Sequence, residues 1–224
     1  GLGYVIDASR FATDGYRDHS KAEREQAMVK LTYRPSVDGK LTFIANSFRQ
    51  TADDPQGQTW SGYQANPRSV AQPALDYNTR KSIDHMQGGL TYEHRFGDHS
   101  VLASVYAGQR STIQYQSIPA GPQANPKHSG GVIDFDRDFA GASTRWIGRF
   151  QLAGGKLTTT VGVEYEQAID QRRGYENFIG TTLGVKGNQR RAEEDRVASF
   201  DQYAQAEWQG ERWTFSGGLR HSNI

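Results

Sequence analysis

Six histidines (His19, His85, His94, His99, His128 and His221) and a few acidic clusters are the residues of this 224-residue chain that could centre metal or proton chemistry. Their spacing argues against it. No two histidines have ligand-like spacing on one element, and His94 and His99, on either side of Gly97-Asp98, lack a third ligand, so a surface turn explains them better than a zinc site. Asp53-Asp54 and Glu193-Glu194-Asp195 do not follow calcium-loop spacing. Asp7-Ala8-Ser9, Ser129 and Ser143 have no G-x-S-x-G context for a hydrolase nucleophile. The opening Gly-Leu-Gly-Tyr lacks the third glycine and the helix of a dinucleotide fingerprint. The chain has no cysteine, which removes disulfide scaffolds, thiolate metal sites and thiol nucleophiles together. These residues predict no enzyme, no resident metal and no cofactor.

What remains must lie in the elements that carry these side chains. The formal charge of +1 gives no support to nucleic-acid binding, and 11% aromatic residues argue against a disordered tail. No apolar run approaches the roughly 20 residues of a membrane-spanning helix, but a membrane-spanning strand needs only about 9–11 and shows lipid only alternate ones. That alternation is present. Leu157, Thr159, Val161, Val163 and Tyr165 share one parity against Lys156, Thr158, Thr160, Glu164 and Glu166. Ala27, Val29, Leu31 and Tyr33 repeat it, as do Thr144, Trp146, Gly148, Phe150 and Leu152, and Trp213, Phe215, Gly217 and Leu219.

The pattern predicts an all-β fold, an antiparallel up-and-down meander of about nine strands at 1–13, 22–35, 40–52, 81–96, 99–116, 136–153, 156–171, 197–209 and 212–222. Short turns at 35–39, 97–98, 153–155 and 209–211 alternate with long segments at about 53–80, 117–135 and 172–196. Loops beyond about 12–15 residues are uncommon in compact domains and are usually functional. Long connections at one end and tight turns at the other are the signature of an outer-membrane barrel. Trp208 and Trp213 flank one short turn, and Tyr33, Phe43, Phe96 and Phe150 stand beside the others. An amphipathic ring is favoured at the headgroup level, so these aromatics predict a girdle at the periplasmic rim.

Tyr203-Ala204-Gln205, Glu207-Trp208, Arg212-Trp213-Thr214-Phe215 and Gly217-Gly218-Leu219-Arg220 resemble adjacent barrel strands of TonB-dependent outer-membrane receptors. Thr13-Asp14-Gly15-Tyr16-Arg17 and the run Gly130 to Phe139 are similar to segments of the siderophore-receptor members. The resemblance implies a 22-stranded transmembrane barrel around an N-terminal plug domain. Nine strands cannot enclose such a lumen. Residues 1–224 are therefore expected to be a partial β-barrel domain, an internal piece without the plug, unable to transport alone and prone to self-association through open sheet edges.

For the intact protein the resemblance implies energy-coupled uptake of a ferric siderophore or similar metal chelate, with a TonB-type coupling protein and outer-membrane lipid as further partners. Anionic chelates need cations for attraction and aromatics for packing. The ligand-binding candidates are Trp60, Tyr63, Arg68, Tyr77, Arg80 and Lys81 in the first long loop, Arg110 and Tyr115 near the top of the next strand, and Arg172, Arg173 and Tyr175 opening the third long loop. A general porin or structural barrel, and a soluble β-sheet binding module, are the rival readings; an encoded plug would argue against the first, and detergent-free monodispersity would favour the second.

Overall fold

The computed structural model describes all 224 residues. In chain order its elements are β1 (Leu2–Thr13), β2 (Ala22–Tyr33), β3 (Gly39–Asp53), α1 (Trp60–Ala65), α2 (Gln72–Asp76), β4 (Arg80–Phe96), β5 (His99–Tyr115), α3 (Ala120–Gln123), β6 (Val132–Leu152), β7 (Gly155–Tyr175), β8 (Phe178–Ile179), β9 (Thr182–Leu183), β10 (Gln189–Gln209) and β11 (Thr214–Asn223). Nine strands form one antiparallel sheet in the order β1-β2-β3-β4-β5-β6-β7-β10-β11, and β8-β9 is a separate small hairpin.

Register sorts the side chains of this sheet into rows of uniform character. Leu31, Phe43, Leu90, Val105, Ala142, Tyr165 and Phe200 are successive cross-strand partners from β2 to β10, a continuous apolar row. One residue along, on the opposite face, the row reads Thr32, Thr42, Thr91, Ser104, Ser143, Glu164 and Asp201. Because side chains alternate with a period of two, a one-residue slip would exchange these faces completely. The apolar row has no second layer to cover it. The buried hydrophobic residues are only Ala74, Tyr77 and Val132, whereas Val105 and Tyr165 of this row are 54% and 41% exposed. Cohesion therefore comes from the ladders, which with the short helices supply 131 of the 154 backbone hydrogen bonds.

The short turns follow from local chemistry. Ala153 and Gly154 both have positive φ, 50° and 74°, the backbone that the right-handed twist of flanking strands requires of a two-residue hairpin. At the same end the aromatics crowd one face. Trp208 donates its Nε1–H to the Leu152 carbonyl at 2.8 Å and stacks on Phe215 at 6.0 Å. Gly155 is obligatory beneath it, since a Cβ there would stand 2.6 Å from both the Trp208 ring and the Gln209 carbonyl oxygen.

Strands β6, β7 and β10 run four to eight residues further into the long connections than the alternation predicts. Arg172, Arg173 and Tyr175, expected to open the third long loop, consequently lie within β7, and Arg80 and Lys81, counted with the first long loop, are the opening residues of β4. The reason is that both faces are polar there. Arg173 bridges Asp134 and Asp136, and Arg137 holds Asp170, so charged pairs continue the ladder where apolar alternation has stopped. The three long connections reduce to residues 54–79, 116–131 and 176–188 and carry α1, α2, α3 and the β8-β9 hairpin.

Candidate functional site

At the long-loop end the connections are tied to one another. Arg17 donates from its guanidinium to the carbonyls of Pro55, Gln56 and Ser69, at 3.1, 2.5 and 3.0 Å, fastening residues 54–79 to the β1–β2 connection. Gly15, with φ of 80°, turns the chain so that Arg17 can reach. Asn177, fully buried, donates to the Gln116 and Ile118 carbonyls and accepts from Gln123 at 2.7 Å, joining the other two loops. Buried polar groups so satisfied give the loops a defined shape.

Trp60 and Tyr63 stack at 5.6 Å on α1 and are 71% and 50% exposed. The Arg68 guanidinium lies 5.4 Å from the Tyr16 ring. Tyr77 is buried as the residue that ends α2, and its carbonyl faces Gly184 of the third loop. Arg80 covers the Tyr115 ring at 3.6 Å and donates to the Asn78 carbonyl at 2.7 Å. Tyr175 lies under the Lys186 ammonium at 4.0 Å. Arg80, Tyr115, Arg173 and Tyr175 all belong to the parity of the apolar face, above its upper end; Lys81, Arg110 and Arg172 belong to the polar face.

Lys186 lies in the loop after β7. Burial pulls its pKa down, but the hydrogen bond to Asp134, at 2.6 Å, and that carboxylate's charge outweigh burial and raise it.

Around Arg110 the polar face carries a cluster that the sequence reading missed. His85, Arg110, Arg137 and Asp170 are successive partners across β4 to β7. The Phe139 ring stacks on His85 at 5.9 Å, nearly parallel at 12°, and meets Tyr106 at 6.3 Å. Two glycines make the platform fit. A Cβ at Gly108 would stand 2.5 Å from Phe139, and one at Gly141 would stand 2.5 Å from Tyr106. Lying across Gly141, Tyr106 donates to Glu166 at 2.6 Å. A hollow of about 330 Å³ opens beside these rings. Arg137 is neutralised by two 2.6 Å hydrogen bonds to Asp170, while Arg110, directly opposite Arg137, has no carboxylate of its own. Only parity and cross-strand register, not residue type, could have assembled this group from sequence.

A nine-strand meander with one apolar and one polar face, girdled by aromatics at its short turns, matches the family model of the TonB-dependent receptor-like β-barrel over residues 31–224. The chain belongs to that family. It is an outer-membrane β-barrel chain, and its apolar face is the lipid face, its polar face the lumen wall. The chain is also similar to the solved structures of the unliganded ferric citrate transporter FecA (18% identity, TM-score 0.77), the ferric preacinetobactin receptor BauA from Acinetobacter baumannii (11%, 0.77) and the open form of the ferric-catecholate import receptor Fiu from E. coli K12 (10%, 0.73). Each alignment covers 99% of this chain, but only 32%, 36% and 40% of those chains respectively. The chain thus spans about a third of the length of the structures it matches. At these identities the likeness concerns the fold of the receptor barrel.

Proposed function

We propose that residues 1–224 are part of the barrel domain of a receptor that takes up an anionic metal chelate, a ferric siderophore in the simplest case, by an energy-coupled route. The observation that carries this reading is the lumen-wall platform of His85, Phe139 and Tyr106 beside the unneutralised Arg110, below loops that present Trp60 and Tyr63. Flat rings pack against chelating rings, and a guanidinium supplies charge and directed hydrogen bonds to their anionic oxygens. Arg68, Lys81 and Arg172 would add attraction around the opening. Arg80, Tyr115, Arg173 and Tyr175 would hold the loops in place, since their rings and charges are already engaged. Tyr77 would do the same from its buried position.

In this reading a plug and the contact with a TonB-type coupling protein belong to the intact receptor outside these residues, and the segment alone does not transport. The named ligands of the similar structures, ferric citrate, ferric preacinetobactin and ferric catecholates, support an iron chelate as the cargo class. The test uses the full-length receptor in the outer membrane with radiolabelled ferric hydroxycarboxylate and catecholate chelates, with and without the coupling system. Coupling-dependent uptake of one chelate is expected. Unselective permeation independent of coupling would replace this reading with a general porin.

A further inference from the structure

Histidine reaches the lipid face of the short-turn end at one place, the β4–β5 hairpin, where His94 and His99 stand in a line of rings. From Tyr92 through His94 and Phe96 to His99 the ring centroids are 6.0, 6.0 and 5.9 Å apart. His99 then meets Trp146 at 5.4 Å and Phe150 at 5.3 Å. Gly148 makes room for the last rings, since a Cβ there would stand 2.4 Å from the Trp146 ring. This packing orients the ring nitrogens. The Tyr92 hydroxyl donates to His94 Nδ1 at 3.2 Å, which leaves the His94 proton on Nε2. His99 Nδ1 is buried with no hydrogen-bond partner, so an N–H there would be an unsatisfied donor and the proton belongs on Nε2 as well.

We propose that this hairpin face binds the phosphate diester of a glycerophospholipid in the inner leaflet. Three ring N–H groups without a protein acceptor lie on it, those of His94 Nε2, His99 Nε2 and the Trp146 indole. They frame a notch. His94 and Trp146 are level, each the cross-strand partner of Val101, so two strand spacings of ~4.8 Å separate them. His99 stands two residues nearer the turn on the middle strand, ~7 Å at the strand rise, and the Val101 side chain floors the space between. A headgroup whose phosphate and ester oxygens are spread over a similar distance can accept from all three. Lys40 and Arg145, the cations nearest in register, belong to the lumen parity, so neutral donors must hold the phosphate on the lipid side. Hydrogen bonds to an ionised oxygen are the stronger kind. Elsewhere on this rim the donors are not gathered: Trp208 gives its N–H to the Leu152 carbonyl, and Trp213 stacks on Phe215 with no histidine beside it. The aromatics around the hairpin set the level of the site, because such rings collect where lipid headgroups begin. The inference does not depend on what the receptor transports.

The test reconstitutes the full-length receptor in phosphatidylglycerol nanodiscs doped with a phosphatidylglycerol that carries a diazirine beside its acyl ester, and maps the peptides labelled on irradiation. Label on residues 92–101 and 144–152 is expected to exceed that on 206–217 several-fold. A diacylglycerol with the same photoreactive chain, which lacks the phosphate, should label the two regions evenly. Replacing His94 and His99 together by Phe keeps the rings, removes the donors and should abolish the excess. Replacing both by Gln, whose amide offers an N–H in a similar place, should keep most of it. The comparison of the two lipids on the unaltered receptor decides the matter even where the Phe variant fails to fold. Even labelling by the phospholipid, an equal excess with the diacylglycerol, an excess that survives His94→Phe with His99→Phe in a folded receptor, or one lost equally with Gln would overturn the proposal.

Discussion

Arg110 and Arg173 show why a residue's type does not reveal its use. Both are arginines at the long-loop end of the sheet, yet Arg173 faces the outer side and is committed to Asp134 and Asp136, while Arg110 faces the lumen beside His85 and Arg137 with no carboxylate of its own. In the full-length receptor, Arg110→Ala is expected to weaken binding of an anionic chelate by about tenfold, the size of one charge-assisted hydrogen bond. Arg173→Ala should leave that affinity within twofold while loosening the loops, so fluorescence titration of both variants separates attraction from scaffolding. Equal losses in the two would remove Arg110 from the site. Lys186 makes a pH-dependent prediction. Its pKa is raised above the ordinary 10.5, so the tether to Asp134 contributes fully below that value and is lost as pH rises through the higher one. Proteolysis of residues 176–188 by an alkali-tolerant protease should therefore accelerate above about pH 10.5, and Lys186→Met should show the faster cleavage already at neutral pH.

At the scale of elements, the turn joining β6 to β7 isolates one backbone cost. Ala153 holds φ at 50°, a left-handed conformation that costs an L-residue with a Cβ roughly 1–2 kcal/mol. Ala153→Gly removes the steric part of that cost, and the urea midpoint of the receptor is expected to rise by the equivalent of about 1 kcal/mol, offset in part by glycine's greater freedom when unfolded. A lowered midpoint would mean that the Ala153 methyl contributes packing that outweighs its strain. This turn was legible in Ala153-Gly154-Gly155 because glycine between two alternating runs has a local cause. Strand existence and parity were legible for the same reason: the lipid side writes Leu157, Val161 and Tyr165 against the lumen side's Thr158, Thr160 and Glu164. The upper ends of β6, β7 and β10 were not, because Asp134, Asp136, Arg173 and Glu194 put charge on the outer parity above the apolar band, and alternation carries no signal where both faces are polar. The candidate site was half legible for a related reason. Arg110 could be picked by charge, but His85, Tyr106 and Phe139 come from three strands and meet only through register and two glycines.

At the scale of the whole molecule, the sheet has exchanged a core for two solvents, lipid on one face and the lumen on the other, and its four tryptophans sample the difference. Trp60 stands exposed on α1 among the external loops, while Trp146, Trp208 and Trp213 share the apolar face near the short turns, with Trp213 stacked on Phe215 at 6.3 Å. A barrel in a membrane must place the last three at the headgroup level, where an indole shelters its ring and keeps its N–H wet. A soluble module would instead cover them with another protein layer. Variants of the full-length receptor that retain only one of these four tryptophans, the others replaced by Phe, should divide cleanly in lipid vesicles. Fluorescence from Trp213 is expected to be quenched by lipid brominated close to the headgroup and to resist aqueous iodide; Trp60 should show the reverse. If iodide reached both residues equally and brominated lipid reached neither, the apolar rows of Leu31 to Phe200 would have to face protein, and the assignment of lipid and lumen sides would fall with them.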